Sequence, residues 1–251
     1  GDEETGSPYL VKFLNDYKDL LTADVVVVSD GEIIGDHTPT IGAGFRGWCN
    51  MTLTFQTADV DLHSGLYGWI APNSALEAMK VLGKLYTQQH RIAIDDYYKT
   101  VDPITDEEIA NNKSLPVTHE EIMQSTGIKN LLIQEWYDAV TANGLMPTIQ
   151  ISGLQAGYTG DGYRNAIPHK TIVKINFRFA RGQNPTDSIA QFVSRVNEQT
   201  PEYVTLNIDI SDPYGAITIK TDHPSIQKAR EVLTASHGKE PVLRFCGAAI
   251  P

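Results

Sequence analysis

The chain has 251 residues, 41% of them apolar and 20% charged, enough to bury the core of one or two globular domains. Its longest purely aliphatic run, residues 25–28, falls far short of the roughly 18 apolar residues that a membrane-spanning helix needs. Twenty Lys and Arg against 31 Asp and Glu leave a net charge of −11, which repels nucleic-acid phosphates and anionic membranes alike. Neither a nucleic acid nor a membrane is expected as a partner. Cys49 and Cys246 supply neither a disulfide framework nor a thiolate zinc site, which points to a reducing, cytoplasmic setting.

The sequence opens at Gly1 without an initiator Met and closes on a mixed glycine and apolar stretch, so it is expected to be a fragment of a longer protein. Leu10, Phe13, Leu14, Tyr17 and Leu21 recur at helical spacing behind Ser7 and Pro8, which predicts a helix over 7–22 with Ser7 as N-cap. The β-branched run 23–29 predicts a buried parallel strand whose carboxyl end carries Asp30 into a loop. A Gly-rich link at 41–44 then marks a domain boundary near residue 43, followed by an alternating strand over 46–58. Next come a glycine-spaced loop at 62–68 and a helix over 73–89 carrying Leu76, Met79, Leu82 and Leu85.

Residues 91–145 are polar with helical patches and read as an insertion; their acidic clusters, Asp95-Asp96 and Asp106 to Glu108, read as solvated faces. Strands return at 147–152 and 170–180, the latter with Ile172, Ile175, Phe177 and Phe179 at its apolar positions. A helix over 185–198 and a strand over 203–210 complete the order strand, helix, strand, strand, helix, strand, the split βαβ arrangement of a ferredoxin-like sandwich. A helix over 224–236 and a final strand at 241–245 are expected to rejoin the first domain. The expected architecture is α/β: a first domain in two parts, 1–42 and 216–251, interrupted by a second over 43–215.

Several side chains in this frame could carry chemistry. Glu3, Glu4 and Asp30 are acids near predicted strand and helix ends, suited to a hard or borderline cation, although a Glu-Glu pair also complements a helix N-terminus. His63, between glycines that let the backbone approach another surface, could donate to a developing oxyanion or merely cap the next element. Arg178 lies on the strand face opposite Phe177 and Phe179, either a solvated cross-strand partner or a fork for a substrate carboxylate. Asn165 ends a Gly-rich loop as a turn residue or a polar substrate contact. The remaining histidines, His37, His90, His119, His169, His223 and His237, stand in no metal-ligand spacing and read as surface or turn residues.

The order of these blocks is more informative than any one of them. Glu3-Glu4 in Asp-Glu-Glu-Thr-Gly-Ser at 2–7, Val-Ser-Asp-Gly at 28–31, Phe-Arg-Gly at 45–47, Asp-Leu-His-Ser-Gly-Leu-Tyr-Gly at 61–68, Asn-Ala-Ile-Pro at 165–168 and Arg178 together resemble the M20 family of metallopeptidases, in its carnosinase-like dipeptidase branch. The resemblance implies a zinc-peptidase catalytic domain holding two divalent ions, Zn or Mn, and a ferredoxin-like α+β lid that also forms a homodimer. It further implies Glu3 as general base, Glu4 and Asp30 as ligands of one metal each, and His63 as the histidine that reaches the neighbouring subunit's active site. Asn165 and Arg178 match substrate-binding positions of the lid, and Gly247 with Ala249 matches the loop that holds the substrate's end. The activity implied is cleavage of dipeptides or related amides by metal-bound hydroxide. The alternatives are an N-acyl amino acid deacylase of the same family and a noncatalytic dimerisation module without metals.

The departures are specific. The family's upstream His-x-Asp motif, its bridging aspartate and a downstream ligand histidine have no counterpart here, so this stretch alone is expected to be inactive. Gly-Ala-Ala-Ile-Pro at 247–251 replaces Gly-Gly-Ser-Ile-Pro, which puts Ala249 where a serine is usual.

Overall fold

The computed structural model describes residues 7–29, 33–34, 37–132 and 138–249. In chain order they form α1 (Leu10–Asp16), β1 (Ile33–Ile34), β2 (Thr38–Phe45), β3 (Gly47–Gln56), β4 (Leu62–His63), α2 (Ser64–Tyr67), α3 (Ser74–Gly83), α4 (Asp106–Lys113), α5 (His119–Thr126), α6 (Ala139–Leu145), β5 (Thr148–Ala156), β6 (Ala166–Ile167), β7 (Lys170–Phe179), α7 (Pro185–Gln199), β8 (Thr205–Ile210), β9 (Ile217–Thr218), α8 (Pro224–His237) and β10 (Val242–Cys246). No helix of the described residues is long and apolar enough to cross a membrane.

Period-two burial builds the lid sheet. On β3, Cys49, Met51, Leu53 and Phe55 point inward; on β7, Thr171, Val173, Ile175, Phe177 and Phe179 do the same. The two strands pair antiparallel without a slip from Gly47 opposite Phe179 to Gln56 opposite Lys170. β5 and β8 flank them to give the order β5-β7-β3-β8, all neighbours antiparallel. With α3 and α7 as the two connections, this is the expected ferredoxin-like order.

Both helices cover the apolar face. α3 starts on Asn73, whose side chain accepts from the Ala75 and Leu76 N–H groups, and α7 starts on Asn184 with Pro185 at its first position. They bury Ala78, Val81 and Leu82, and Ile189, Phe192 and Val196, spacings that keep one helical face inward. Phe192 meets Phe177 edge-on at 4.9 Å, and each such aromatic contributes about 1.5–3 kcal/mol by leaving water. Of the four residues expected inward on this helix, Leu82 and Leu85 are buried, whereas Leu76 and Met79 are 46% and 54% exposed and Ala78 and Val81 take the inward face in their place. Ile172, expected inward, faces the other side, and its neighbour Thr171 is buried through a 2.8 Å bond to Ser74.

A second sheet lies beyond Arg46. β2 runs parallel to β10 and antiparallel to β1 and β9. The Gly-rich stretch expected as a link is part of β2, and its glycines serve close approach: a Cβ on Gly44 would stand 3.0 Å from the Phe245 ring and 3.3 Å from the Ile217 carbonyl. The stretch expected as an insertion joins both sheets. Ile92, Ile94 and Tyr97 enter the lid core, whereas Leu115 and Val140 pack with Ile34, and Leu145 packs with Ala43 and Phe245.

The amino-terminal expectations fare less well. The helix is α1, shorter than 7–22; its N-cap is Tyr9 without a side-chain bond, and Ser7 sits at φ +45° instead of capping. None of its residues is buried. Residues 23–29 form no strand, and Val27 is 83% exposed; a buried parallel strand requires ladder partners on both sides, and none of the described residues provides one here.

Candidate functional site

The described site residues fall into two groups at opposite ends of β7. At its Lys170 end, β4 and β6 make a short antiparallel ribbon with Leu62 opposite Ile167 and His63 opposite Ala166. The Ser64 N–H donates to the Asn165 carbonyl at 3.0 Å, which brings Asn165 beside His63. Both residues are exposed. His63 is also the N-cap of α2, with its Nδ1 accepting from the Gly65 N–H at 3.1 Å. That bond makes Nδ1 the acceptor, so the neutral ring carries its proton on Nε2, free to donate outward.

The ribbon is braced from below. Asp61 accepts from the His169 N–H at 3.0 Å and pairs with its Nδ1 at 2.6 Å. The hydrogen bonds from His169 hold the Asp61 carboxyl below the usual carboxylate range. The His169 carbonyl in turn accepts from the Thr57 N–H at 2.8 Å, and the Pro168 carbonyl accepts from the Ser74 hydroxyl at 2.8 Å. His169, expected as a surface or turn residue, is therefore a structural partner of the Asp-Leu-His block. The signal was present in the sequence as an acid and a histidine bordering the two blocks that the ribbon joins.

At the Phe179 end, Arg178 stands opposite Trp48 on β3 and Thr148 on β5. Burial lowers its pKa, with no carboxylate partner among the described residues. Arg46 lies beside it, and the loop after β10 closes the group. Gly247 is buried and Ala249 half-buried. The Cys246 Sγ accepts from the Ala248 N–H at 3.4 Å. Arg46 occurs in the Phe-Arg-Gly block, yet its sequence context assigned it no role.

One chain does not bring the two groups together. Lys170 and Arg178 are eight steps apart on an unbroken strand, about 26 Å at roughly 3.3 Å per residue. Both ends of a dipeptide are much closer than that. Glu3, Glu4 and Asp30 lie outside the described residues. Among the described residues there is no group of three or more His, Cys, Asp or Glu side chains that could hold a metal ion.

The chain has relatives among known proteins. The peptidase dimerisation domain of the M20 type matches residues 43–204. The Cys-Gly metallodipeptidase DUG1 of Saccharomyces cerevisiae is 31% identical over 183 residues, covering 71% of this chain and 37% of the yeast protein. The human Beta-Ala-His dipeptidase is 25% identical over 260 residues, covering all of this chain and 50% of its own. Among solved structures, the yeast dipeptidase Dug1p superposes with a TM-score of 0.89 at 22% identity, over all of this chain and 53% of that one. Human carnosine dipeptidase 1 gives 0.87 at 23% identity, over 99% and 54%. The chain thus spans about half the length or less of these relatives. Residues 43–204 contain the whole β5-β7-β3-β8 sheet but for its last strand, and on that match the chain belongs to the M20 peptidase family, in its carnosinase-like branch.

Proposed function

We propose that the protein is a metal-dependent dipeptidase whose substrate site is assembled from two copies. The observation that carries this reading is the separation of His63 and Asn165 from Arg178 and the 247–249 loop by the length of β7. A second copy is the simplest source of the missing half of each site, and the family match to a dimerisation domain supports it. Exposed Leu76 and Met79 on α3 and exposed Leu66, Trp69 and Ile70 beside His63 offer apolar surface for that contact.

In this reading Arg178 grips the substrate's terminal carboxylate with its planar fork, within reach of Gly247 and Ala249. His63 of the other copy donates its Nε2–H to the oxygen that gains charge as the amide is attacked, and Asn165 adds a second polar contact. Two divalent ions, Zn or Mn, would supply Lewis-acid activation of the amide, with Glu4 and Asp30 as protein ligands and Glu3 as general base. A cytoplasmic location goes with the free thiols. An N-acyl amino acid presents the same amide and carboxylate, so a deacylase is the second reading.

Mixing two inactive variants tests the assembly. In the full-length, metal-loaded protein, His63→Ala and Arg178→Met are each expected to lose dipeptidase activity. After mixing and subunit exchange, half of the dimers hold one intact site, restoring about one quarter of wild-type activity. Heterodimers that form but stay inactive overturn the two-copy site. A metal-loaded wild type that cleaves N-acyl amino acids and no dipeptide selects the deacylase, and one that binds no metal and cleaves neither selects a noncatalytic dimerisation module.

A further inference from the structure

Arg46 is the single residue between β2 and β3, where the chain leaves one sheet for the other. Its side chain reaches two segments far away in sequence. Nε donates to the Gly247 carbonyl at 2.8 Å, and Nη1 donates to the Met146 carbonyl at 2.9 Å and, at 3.4 Å, to the Thr148 hydroxyl. Its backbone N–H donates to the Ala248 carbonyl at 3.1 Å. Every one of these acceptors is neutral.

Such a placement is costly. Burial, with the nearby Arg178 cation adding to it, lowers the Arg46 pKa to about 10. No carboxylate pairs with Arg46 among the described residues. A desolvated cation beside a second cation destabilises the fold unless its geometry is needed or an anion arrives to offset it. The geometry here is specific. Thr148, which Arg46 touches, stands directly opposite Arg178 on the neighbouring strand. Arg46 therefore ties the 247–248 backbone to the same strand pair that carries Arg178. The other side of that loop is closed by α6: a Cβ on Gly247 would fall 1.8 Å from the Asn143 Oδ1 and 2.9 Å from its carbonyl.

We infer that Arg46 is a positioning residue for the carboxylate end of the substrate, holding the 247–249 loop at a fixed distance from Arg178 so that the two close on one anion. This inference rests on the role given above to Arg178. A lysine cannot replace the fork, because one ammonium cannot reach the Gly247 and Met146 carbonyls along two fixed directions.

The test uses the full-length, metal-loaded protein with Arg46→Gln and Arg46→Lys, and two probes, an alanyl dipeptide and the same dipeptide as its C-terminal amide. Losing bonds from a charged donor is expected to raise KM for the free-acid dipeptide about 10- to 100-fold, with kcat within about threefold and the amide nearly unaffected. Arg46→Lys is expected to recover little of this. Hydrogen exchange, read in parallel, is expected to quicken at residues 247–249 in both variants and to stay unchanged at 61–65. Equal losses on acid and amide, or unchanged exchange at 247–249, overturn the inference. A wild type without hydrolase activity refutes the dipeptidase reading instead, and the exchange measurement still decides whether Arg46 holds the loop. Should Arg46→Gln fail to fold, Arg46→Lys carries both readouts.

Discussion

The two ends of β7 solve opposite problems. At the Lys170 end, His63 and Asn165 stand in water on a ribbon two residues wide, held by backbone hydrogen bonds and the Asp61–His169 pair. At the Phe179 end, Arg46 is drawn out of water among neutral acceptors and close-packed glycines, and burial also lowers the pKa of Arg178 beside it. An exposed donor suits a group that must enter another molecule's cleft. A desolvated cation suits a group that waits for an anion, because its attraction strengthens where water is excluded. The strand between them holds the two groups at a fixed separation.

Breaking that strand's support should therefore damage both ends at once. Phe192 packs on Phe177 in the middle of the lid core, and Phe192→Ala is expected to cost about 3–5 kcal/mol in urea unfolding, with both ends losing function together. A variant in which only one end fails would show that the ends fold separately.

A smaller, one-sided effect is expected at the junction. Gly247→Ala must push the loop away from α6, since its Cβ would overlap Asn143; overpacking of this kind costs about 1–3 kcal/mol. KM for a free-acid dipeptide should rise while hydrogen exchange at 61–65 stays as in the wild type. Unchanged KM would remove the loop from the substrate's seat.

The smallest effect belongs to the exposed end. The Asp61 carboxyl is held below its ordinary value, so its contribution is complete above about pH 4, the usual value, and is lost as pH falls through the depressed one. Asp61→Asn should loosen the ribbon at neutral pH, seen as faster exchange at 61–65 and a several-fold drop in kcat. It should also abolish the acid-induced loosening that the wild type shows below about pH 4. A wild type whose ribbon protection factors, corrected for intrinsic exchange, do not fall as the Asp61 carboxyl is protonated would refute the brace.

Much of the lid was legible in the sequence because burial there obeys a simple period. The alternation of β3 and β7, the helices capped by Asn73 and Asn184, and the order of the six elements all follow from local patterns. Failures came where local pattern and tertiary role diverge. Gly42 and Gly44 look like a link but sit within a strand, where the Phe45 ring of the same strand crowds the first and Phe245 and Ile217 crowd the second. Residues 25–28 look like a buried strand by composition, yet burial depends on partners that a run of valines cannot specify. The site was legible as motifs but not as geometry. His63, Asn165 and Arg178 were each visible, whereas their division between two ends required the β7 register. Arg46 stands in the Phe-Arg-Gly block without a legible role because its partners lie 100 and 201 residues away.

The passage of the backbone between the two sheets has a mechanical corollary. The chain crosses from one to the other at Arg46, again between Tyr97 and Ile104, again at residues 146–148, and again between Ser211 and Ile217. Two pins define a pivot, and every further pin must fall on the same line or forbid rotation. Any swing of the lid thus has at most one axis available to it, and a side chain that staples two of those threads to the loop after β10 acts as its bearing.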